Sequence, residues 1–426
     1  MSTPNTAALS PRLMRLMQLL VFGLGALSLT IKGGYSISFV GLFLLGVAYW
    51  CRYRQADLSP IARPLCWVLL LAFATQALAT WLDGGTLKSL DRPSRLLGVA
   101  LMLPLLCRYR PDFPSLMRGI GIGAIGAGGI ALHDKFIRHL PRAFDDVMPI
   151  QSGDISLSLG LLSLCAMAWA YRERKQGETL FYLVAASMGL LGSLLSGSRG
   201  GWILLPLILL AWYRLFRPWF SRRLKLTLLG AVIALGLLGA LPQLGVSQRL
   251  EEAKQDMSFY MSGGNQNTSL GYRLQFWRSA WHSFIDKPLL GWGPKSVRHS
   301  QEQQYKAGEL SQAAFDFNSH AHNQYLDQMA KFGLLGLSCL LALFLVPLYL
   351  AKRLRNGRIS DRGYTLAAAT IIHVLATMDY CLSQAFLNHN SGIIFYPLLM
   401  VLLLLSAEAE QEPAPAAQIT GEPATD

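Results

Sequence analysis

Charge is what this chain has least of. Only 15% of its 426 residues are Asp, Glu, Lys or Arg, against 52% hydrophobic residues, and so few charges cannot cover the surface of a soluble protein of that size. Acidic residues are the scarcer sign, 25 against 38 basic, for a net charge of +13. That excess would suit nucleic acid, yet no basic stretch is interleaved with aromatics in a polar domain. The cations fall in short runs between apolar segments, where they read as topology signals. Cysteine is sparse as well. Cys51, Cys66, Cys107, Cys165, Cys339 and Cys381 lie in or beside apolar segments and no CxxC occurs, so neither a disulfide framework nor a zinc site is expected. No small-residue cleavage site follows Arg12 and Arg15 and the apolar run after them, so that run is expected to stay as a span.

What the chain has in abundance is apolar segments near the roughly 20 residues that a membrane helix needs. About twelve are expected, near 13–31, 35–50, 64–82, 95–107, 114–132, 154–171, 180–197, 200–213, 224–243, 325–350, 363–383 and 390–406. The fold class is therefore an all-α polytopic membrane protein. One set of alternate loops holds Arg52, Arg54, Arg63; Arg108, Arg110, Arg118; Arg172, Arg174, Lys175; Arg214 to Lys225; and Lys352 to Arg362. The other short loops hold only Lys32; Lys88, Arg92, Arg95; Lys135, Arg138, Arg142; and Arg199. The positive-inside rule makes the first set cytoplasmic, with both termini inside. The organisation expected is nine spans over 1–243, an external loop over 244–324, three spans over 325–406 and a disordered cytoplasmic tail over 407–426.

Two motifs mislead. Gly121 to Gly126 matches GxGxxG but sits inside an apolar span, without a strand before it or an acidic residue at the right distance after it, so close helix packing is the better account. SGSRG around Ser198 is one residue out of register for a nucleophile elbow and lacks its strand. In the external loop, 246–257 is polar and helix-like and 262–271 is a Gly/Asn-rich linker. From Gly271 to Asp286, Leu274, Trp277, Trp281 and Phe284 recur at three- and four-residue spacing. That stripe fits a helix lying on the membrane surface or one packed on the protein's own spans. Pro288, Gly291, Gly293 and Pro294 make a turn.

The segment from Asn318 to Leu337 organises the rest. His320, His322, Asn323 and Asp327 stand at the water-facing mouth of a span that is expected to follow without a break, next to Lys331 and a flexible Gly333/Gly336 pair. SGSRGGW (196–202), GYRLQFWRSAW (271–281), the Pro288 to Pro294 turn and HAHNQYLDQMAKFGLLG (320–336) together resemble the O-antigen ligase and polymerase superfamily of bacterial membrane glycosyltransferases, and their wording is more similar to the ligase branch. The resemblance implies a helical fold of the GT-C type in the inner membrane and an active site on the periplasmic face. It implies a glycan on undecaprenyl diphosphate as donor, lipid A-core as acceptor, and inverting transfer with no metal and no cofactor. Many relatives carry Glu where this chain has Lys331, so a role for that carboxylate does not transfer.

The residue types suit such chemistry. A glycosyl diphosphate already has a good leaving group, so the protein must supply positive charge against the departing phosphates rather than a general acid. Arginine does this with a planar, always-charged fork, and Arg199 and Arg273 are the candidates, with Arg278 third. The attacking hydroxyl must lose a proton, and histidine titrates in the right range to take it. His322 matches the family's His-Asn pair and is the expected base, and His320 could orient it or bind sugar. Asn323, Ser198 and Trp277 complete the expected substrate-contacting set. Asp327 and Asp379 lie near the outer helix ends, where each could fix an imidazole tautomer or simply hold a helix end; His373, deeper in its span, is read as packing. A His-x-His metal pair lacks an obvious third ligand. The alternatives are an O-antigen polymerase or protein O-oligosaccharyltransferase using the same donor and, more distantly, a lipid-linked glycan transporter, which would place its ionisable residues near the bilayer midplane.

Overall fold

The computed structural model describes residues 11–54, 57–198, 200–226, 230, 258, 268–317 and 320–412. All its named elements are helical: α1 (Pro11–Ala26), α2 (Gly34–Tyr53), α3 (Ala62–Leu82), α4 (Ser94–Arg108), α5 (Phe113–Leu132), α6 (Pro149–Arg172), α7 (Gln176–Leu195), α8 (Leu205–Phe216), α9 (Ser269–Asp286), α10 (Val297–Lys306), α11 (Gln312–Phe317), α12 (Gln324–Arg355), α13 (Asp361–Ser383) and α14 (Asn390–Ala409). Among the described residues eight helices are long and apolar enough to cross a membrane. They are α2, α3, α5, α6, α7, α12, α13 and α14. Three more of the expected segments form the shorter helices α1, α4 and α8, and the expected span at 224–243 lies almost wholly outside the described residues, as does the polar stretch 246–257.

The packing is that of a protein solvated by lipid. The apolar windows of α6 and α14 are 94% and 89% buried, whereas those of α2 and α3 are 28% buried, so the first pair forms the centre and the second the rim. Rim side chains exposed to the surroundings are large and apolar, among them Leu19, Trp67 and Leu180, a surface that water would not tolerate in such quantity. Lipid offers no hydrophobic drive for helices to associate, so close approach of small residues takes over. A Cβ on Gly123 would overlap Gly25 O, and one on Gly189 would meet Gly160 Cα at 2.6 Å. Within the GxGxxG run Gly123 packs on α1, Gly126 on Thr30 just beyond it and Gly121 on Phe181 of α7, the close helix packing expected of small residues in an apolar span.

The loops sort onto two ends. At the arginine-rich end, Glu408 accepts from Arg110 at 2.5 Å and from Ser59 at 2.6 Å, Arg172 lies 3.4 Å from Asp361, and Ser360 bonds Glu410 at 2.7 Å. These contacts correct the expected start of the disordered tail: α14 continues through Ala409, and residues 408–412 are held by partners on the neighbouring loops. Residues 413–426 lie outside the described set.

At the other end the expectation of an unbroken tenth span is also corrected. Gly333 has φ 61° and ψ −157°, a conformation open essentially only to glycine, and it interrupts α12. The backbone groups released there are not left bare. Ala330 O and Lys331 O accept from the N–H groups of Trp292 (3.0 Å) and Gly293 (2.9 Å), while Leu334 N and Leu335 N donate to Pro288 O (2.8 Å) and Leu289 O (3.3 Å). The Pro288–Pro294 turn takes the place of the missing helical partners, which satisfies the backbone at membrane depth. Gly333 and Gly291 therefore mark a rigid docking point.

Gly333→Ala should lower the unfolding temperature of the detergent-solubilised protein, through a backbone penalty of about 1–3 kcal/mol and a clash, because the new Cβ would sit 2.4 Å from Leu289 C. Gly129→Ala, a helical position with open space around its Cβ, should leave the melt unchanged or raise it slightly.

Candidate active site

Helices α9 to α11 carry the site to one end of the bundle. α9 begins after Thr268, whose hydroxyl accepts from Gly271 N at 3.1 Å, and its buried face mixes Gln275, Ser279 and Ser283 with Phe276 and Ala280. Ser283 Oγ meets Ser300 Oγ of α10 at 2.8 Å, and Gln304 Nε2 donates to Ser279 O (3.2 Å), Ser283 (3.2 Å) and Ser300 (3.1 Å). Of the stripe read in the sequence, Trp281 is 46% exposed, whereas Leu274, Trp277 and Phe284 are partly buried, so the helix packs on its neighbours and still presents one large apolar group outward. The base of α10 is tied to the end of α3, where Asp83 accepts from Lys295 N at 2.5 Å and from Ser296 N at 3.1 Å.

Asn323 caps α12. Its Oδ1 accepts from Leu326 N at 3.1 Å and its Nδ2 donates to Leu382 O at 3.0 Å, so both ends of its amide are given to the protein and the residue acts as a positioner. The loop before it is held by Asp327, 3% exposed, which accepts from Ala321 N (3.1 Å), Asn388 Nδ2 (2.6 Å) and Lys331 Nζ (2.8 Å). Asp327 is thus an ion-pair and loop-holding residue, and Lys331 neutralises it. Neither fixes the His322 ring directly.

Between these anchors three imidazoles gather. The His320 ring stands edge-on to His322 at 4.2 Å and to His389 at 5.7 Å, and Phe276 of α9 lies nearly parallel to His322 at 6.0 Å. His322 adopts φ 48°, a left-handed conformation uncommon outside glycine and of the kind that clusters at functional sites. Burial first, then the neighbouring His320 and the Arg273 guanidinium, push the His322 pKa down to about 4. Burial, with His320 and Arg92 beside it, does the same to His389, also to about 4, and burial lowers His320. All three are neutral near pH 7. Gln384 lies beside the His322 ring and favours its protonated form, and Nδ1 is buried with no hydrogen-bond partner among the described residues.

Arg273 is half-buried, burial lowers its pKa, and no carboxylate among the described residues pairs with it. Arg278, one turn further along α9, is exposed. Trp277 is half-buried with an unpartnered indole Nε1. Ser198 is buried, turned toward Asp154 without closing a hydrogen bond of ordinary geometry. Arg199 lies outside the described residues, but its neighbours are placed. A Cβ on Gly200 would overlap Ser383 Oγ and one on Gly201 would meet Asp154 Oδ1 at 2.7 Å, which seats this hairpin against the end of α13, next to Gln384. Asp379 accepts from Leu204 N at 3.0 Å and so holds the same hairpin. His373 contacts Tyr396 O at 3.3 Å and the rings of Phe395 and Tyr396, in keeping with packing.

Sequence reasoning missed Gln384, His389 and Asn388. The signal was the polar run Ser383-Gln384 and Asn388-His389-Asn390 between two apolar spans, a patch of hydrogen-bonding residues at the end where the other histidines were placed. Among the described residues no group of three or more His, Cys, Asp or Glu is arranged to hold a metal ion.

An all-helical membrane protein with buried neutral imidazoles beside unpaired cationic charge, at one end of its spans, defines a class of lipid-embedded group-transfer protein. A family model described as O-antigen ligase matches residues 181–341, the stretch that contains the 198–201 hairpin, α9 and the histidine loop. An uncharacterized protein of Haemophilus influenzae (strain ATCC 51907 / DSM 11121 / KW20 / Rd) is 31% identical over 385 residues, covering 88% of this chain and 94% of the relative. The chain belongs to the O-antigen ligase and polymerase superfamily, which is of glycosyltransferase type.

Asp327→Asn should cost about 3 kcal/mol of stability, because Lys331, with 14% of its side chain exposed, is left as a nearly buried charge without its partner. Asp327→Asn combined with Lys331→Met should recover most of that loss in thermal unfolding. A double variant no better than the single would show that the ion pair is not the source.

Proposed function

We propose that this protein is an O-antigen ligase: it transfers a glycan from undecaprenyl diphosphate to a hydroxyl of the lipid A-core oligosaccharide, at the periplasmic face of the inner membrane. The observation that carries the reading is the buried His322 Nδ1, without a hydrogen-bond partner among the described residues, beside the Arg273 guanidinium, which no described carboxylate pairs.

In this scheme Arg273 pairs with the donor's diphosphate and stabilises the charge that grows as the glycosyl–phosphate bond breaks. Arg199 is proposed to act with it from the adjoining hairpin. The acceptor hydroxyl gives its proton to His322 as its oxygen forms the bond to the anomeric carbon. Gln384, beside the ring, stabilises the imidazolium that results. The carboxylate nearest the imidazoles, Asp327, has both oxygens engaged, and so is unsuited to form a covalent glycosyl intermediate. Direct displacement with inversion is the consistent course. Arg278, Trp277 and His320 are assigned to substrate contacts around this centre, with the exposed Trp281 face of α9 resting at the lipid headgroups.

A base of pKa about 4 is present in its proton-accepting form but is intrinsically weak. Binding of a doubly charged diphosphate next to it offsets the Arg273 guanidinium and favours the imidazolium, so the donor itself raises the basicity. The acid limb of kcat/KM, which reports the free enzyme, should therefore fall near pH 4, and the limb of kcat, which reports the complex, should lie at higher pH. His322→Ala should lose roughly 10²–10⁴ in kcat with the protein still folded in the membrane. Coincident acid limbs near 6.5 would show an ordinary imidazole unaffected by donor binding, and near-normal turnover of the variant would remove His322 as the base.

A strain lacking the gene should accumulate full-length polymer on undecaprenyl diphosphate and produce lipid A-core without it. Core capped by one repeat unit would instead mean that transfer to core proceeds without this protein, and would identify it as the polymerase.

A further inference from the structure

A cavity opens at the same end of the bundle as the histidines. It holds about 210 Å³ between the turn after α1, the end of α5 and the first turns of α6 and α14. Four charged groups border it, and they cancel: Arg138 pairs with Asp134 (3.1 Å) and Asp146 (2.6 Å), the Asp134 carboxylate also accepts from Phe144 N at 2.9 Å, and Lys32 stands at the rim. Two positive and two negative charges make a poor seat for a phosphate. Ser28, Ser152 and Ser391 contribute polar lining, Tyr35 contributes an aromatic ring, and Gln151 lies among them.

Gln151 is 2% exposed, its Oε1 accepts from Ser391 Oγ at 3.2 Å, and its Nε2 has no partner. An amide end buried this deeply and left unpaired costs about 1–3 kcal/mol, and the bond to Ser391 engages only the other end. A prenyl tail in the cavity would leave that end unpaired. A sugar hydroxyl would satisfy it, and the Tyr35 ring offers the apolar surface that the C–H face of a pyranose covers. Ser391 is two residues from His389, whose ring is 5.7 Å from His320, so the cavity and the imidazole cluster share the start of α14.

We propose that this cavity binds one uncharged sugar ring of a glycolipid substrate, held by the Gln151 amide and stacked on Tyr35. The assignment rests on the glycosyl-transfer reading. The ring belongs either to the donor glycan or to the acceptor core, since both present the same chemistry.

The test measures dissociation constants, by native mass spectrometry of the full-length protein in detergent, for three probes: the undecaprenyl diphosphate-linked glycan, lipid A-core, and undecaprenyl diphosphate alone. Gln151→Leu removes the amide, and Tyr35→Ala, at a half-exposed position, removes the ring with little risk to folding. Both variants should weaken binding of one glycolipid at least tenfold and leave the other glycolipid and the bare carrier within twofold. The affected glycolipid then names the source of the ring. If Gln151→Leu does not fold, Tyr35→Ala alone decides. Unchanged binding of both glycolipids, equal weakening of both, or equal weakening of the bare carrier would overturn the proposal. A wild-type protein that binds both glycolipids but transfers no glycan would sink the ligase reading and leave the sugar subsite standing.

Discussion

The structure of the active end depends on one exchange of backbone hydrogen bonds. Where Gly333 breaks α12, the Pro288–Pro294 turn supplies N–H groups to two freed carbonyls and carbonyls to two freed N–H groups. Neither partner could stay at membrane depth without the other, because an unpaired peptide group in hydrocarbon costs several kcal/mol. The exchange fixes the external segment to the transmembrane helix that carries the histidine loop. α9 bears Arg273 and leads directly into the turn, while α12 begins at Asn323, directly after His322. The arginine and the imidazole are therefore brought into register by main-chain bonding that side-chain substitution elsewhere in the loop would not disturb.

Around that joint the polar groups divide into those consumed by the fold and those left over. Asp327, Asn323 and Lys331 are consumed: every hydrogen-bonding end of the first two is engaged, and the lysine neutralises the carboxylate. Left over among the described residues are His322 Nδ1, His389 Nε2, the Trp277 and Trp292 indole N–H groups and the Arg273 charge. A buried polar group without a partner is expensive in a protein that has no use for it. That the surplus includes a buried ring nitrogen on a left-handed His322 backbone and a cation beside it is what marks this end as the candidate site.

Much of this was legible in the residues. Helical class, two-ended charge distribution and the histidine mouth follow from apolar run length, loop arginines and the HAHN stretch, since each is a local pattern with one physical cause. The break at Gly333 was not legible, because Gly333 and Gly336 inside an apolar run read as a flexible point until the partner turn is in place. The role of Asn323 was likewise hidden: a polar residue beside a candidate base reads as substrate-binding when its backbone partner, Leu382 O, is unknown, whereas an ion-pair role for Asp327 was open from its place near a helix end. His389 and Gln384 were missed because they arrive from a different hairpin, and no local spacing connects them to His322.

The same division shapes α9. It turns Ser283 and Gln275 inward, where they bond α10 and the loop at Ser311, buries Phe276 and Ala280 beside them, and turns Trp281 and Ile285 outward. Side-chain hydrogen bonds therefore tie one face of the helix to its neighbours while large apolar groups stand on the other, an arrangement that suits a helix beside an apolar or interfacial medium. Arg273 is half-buried on the same helix and burial lowers its pKa, and a guanidinium that has lost part of its already weak hydration is drawn to a planar anion. The placement of the cation follows from how one helix divides its contacts.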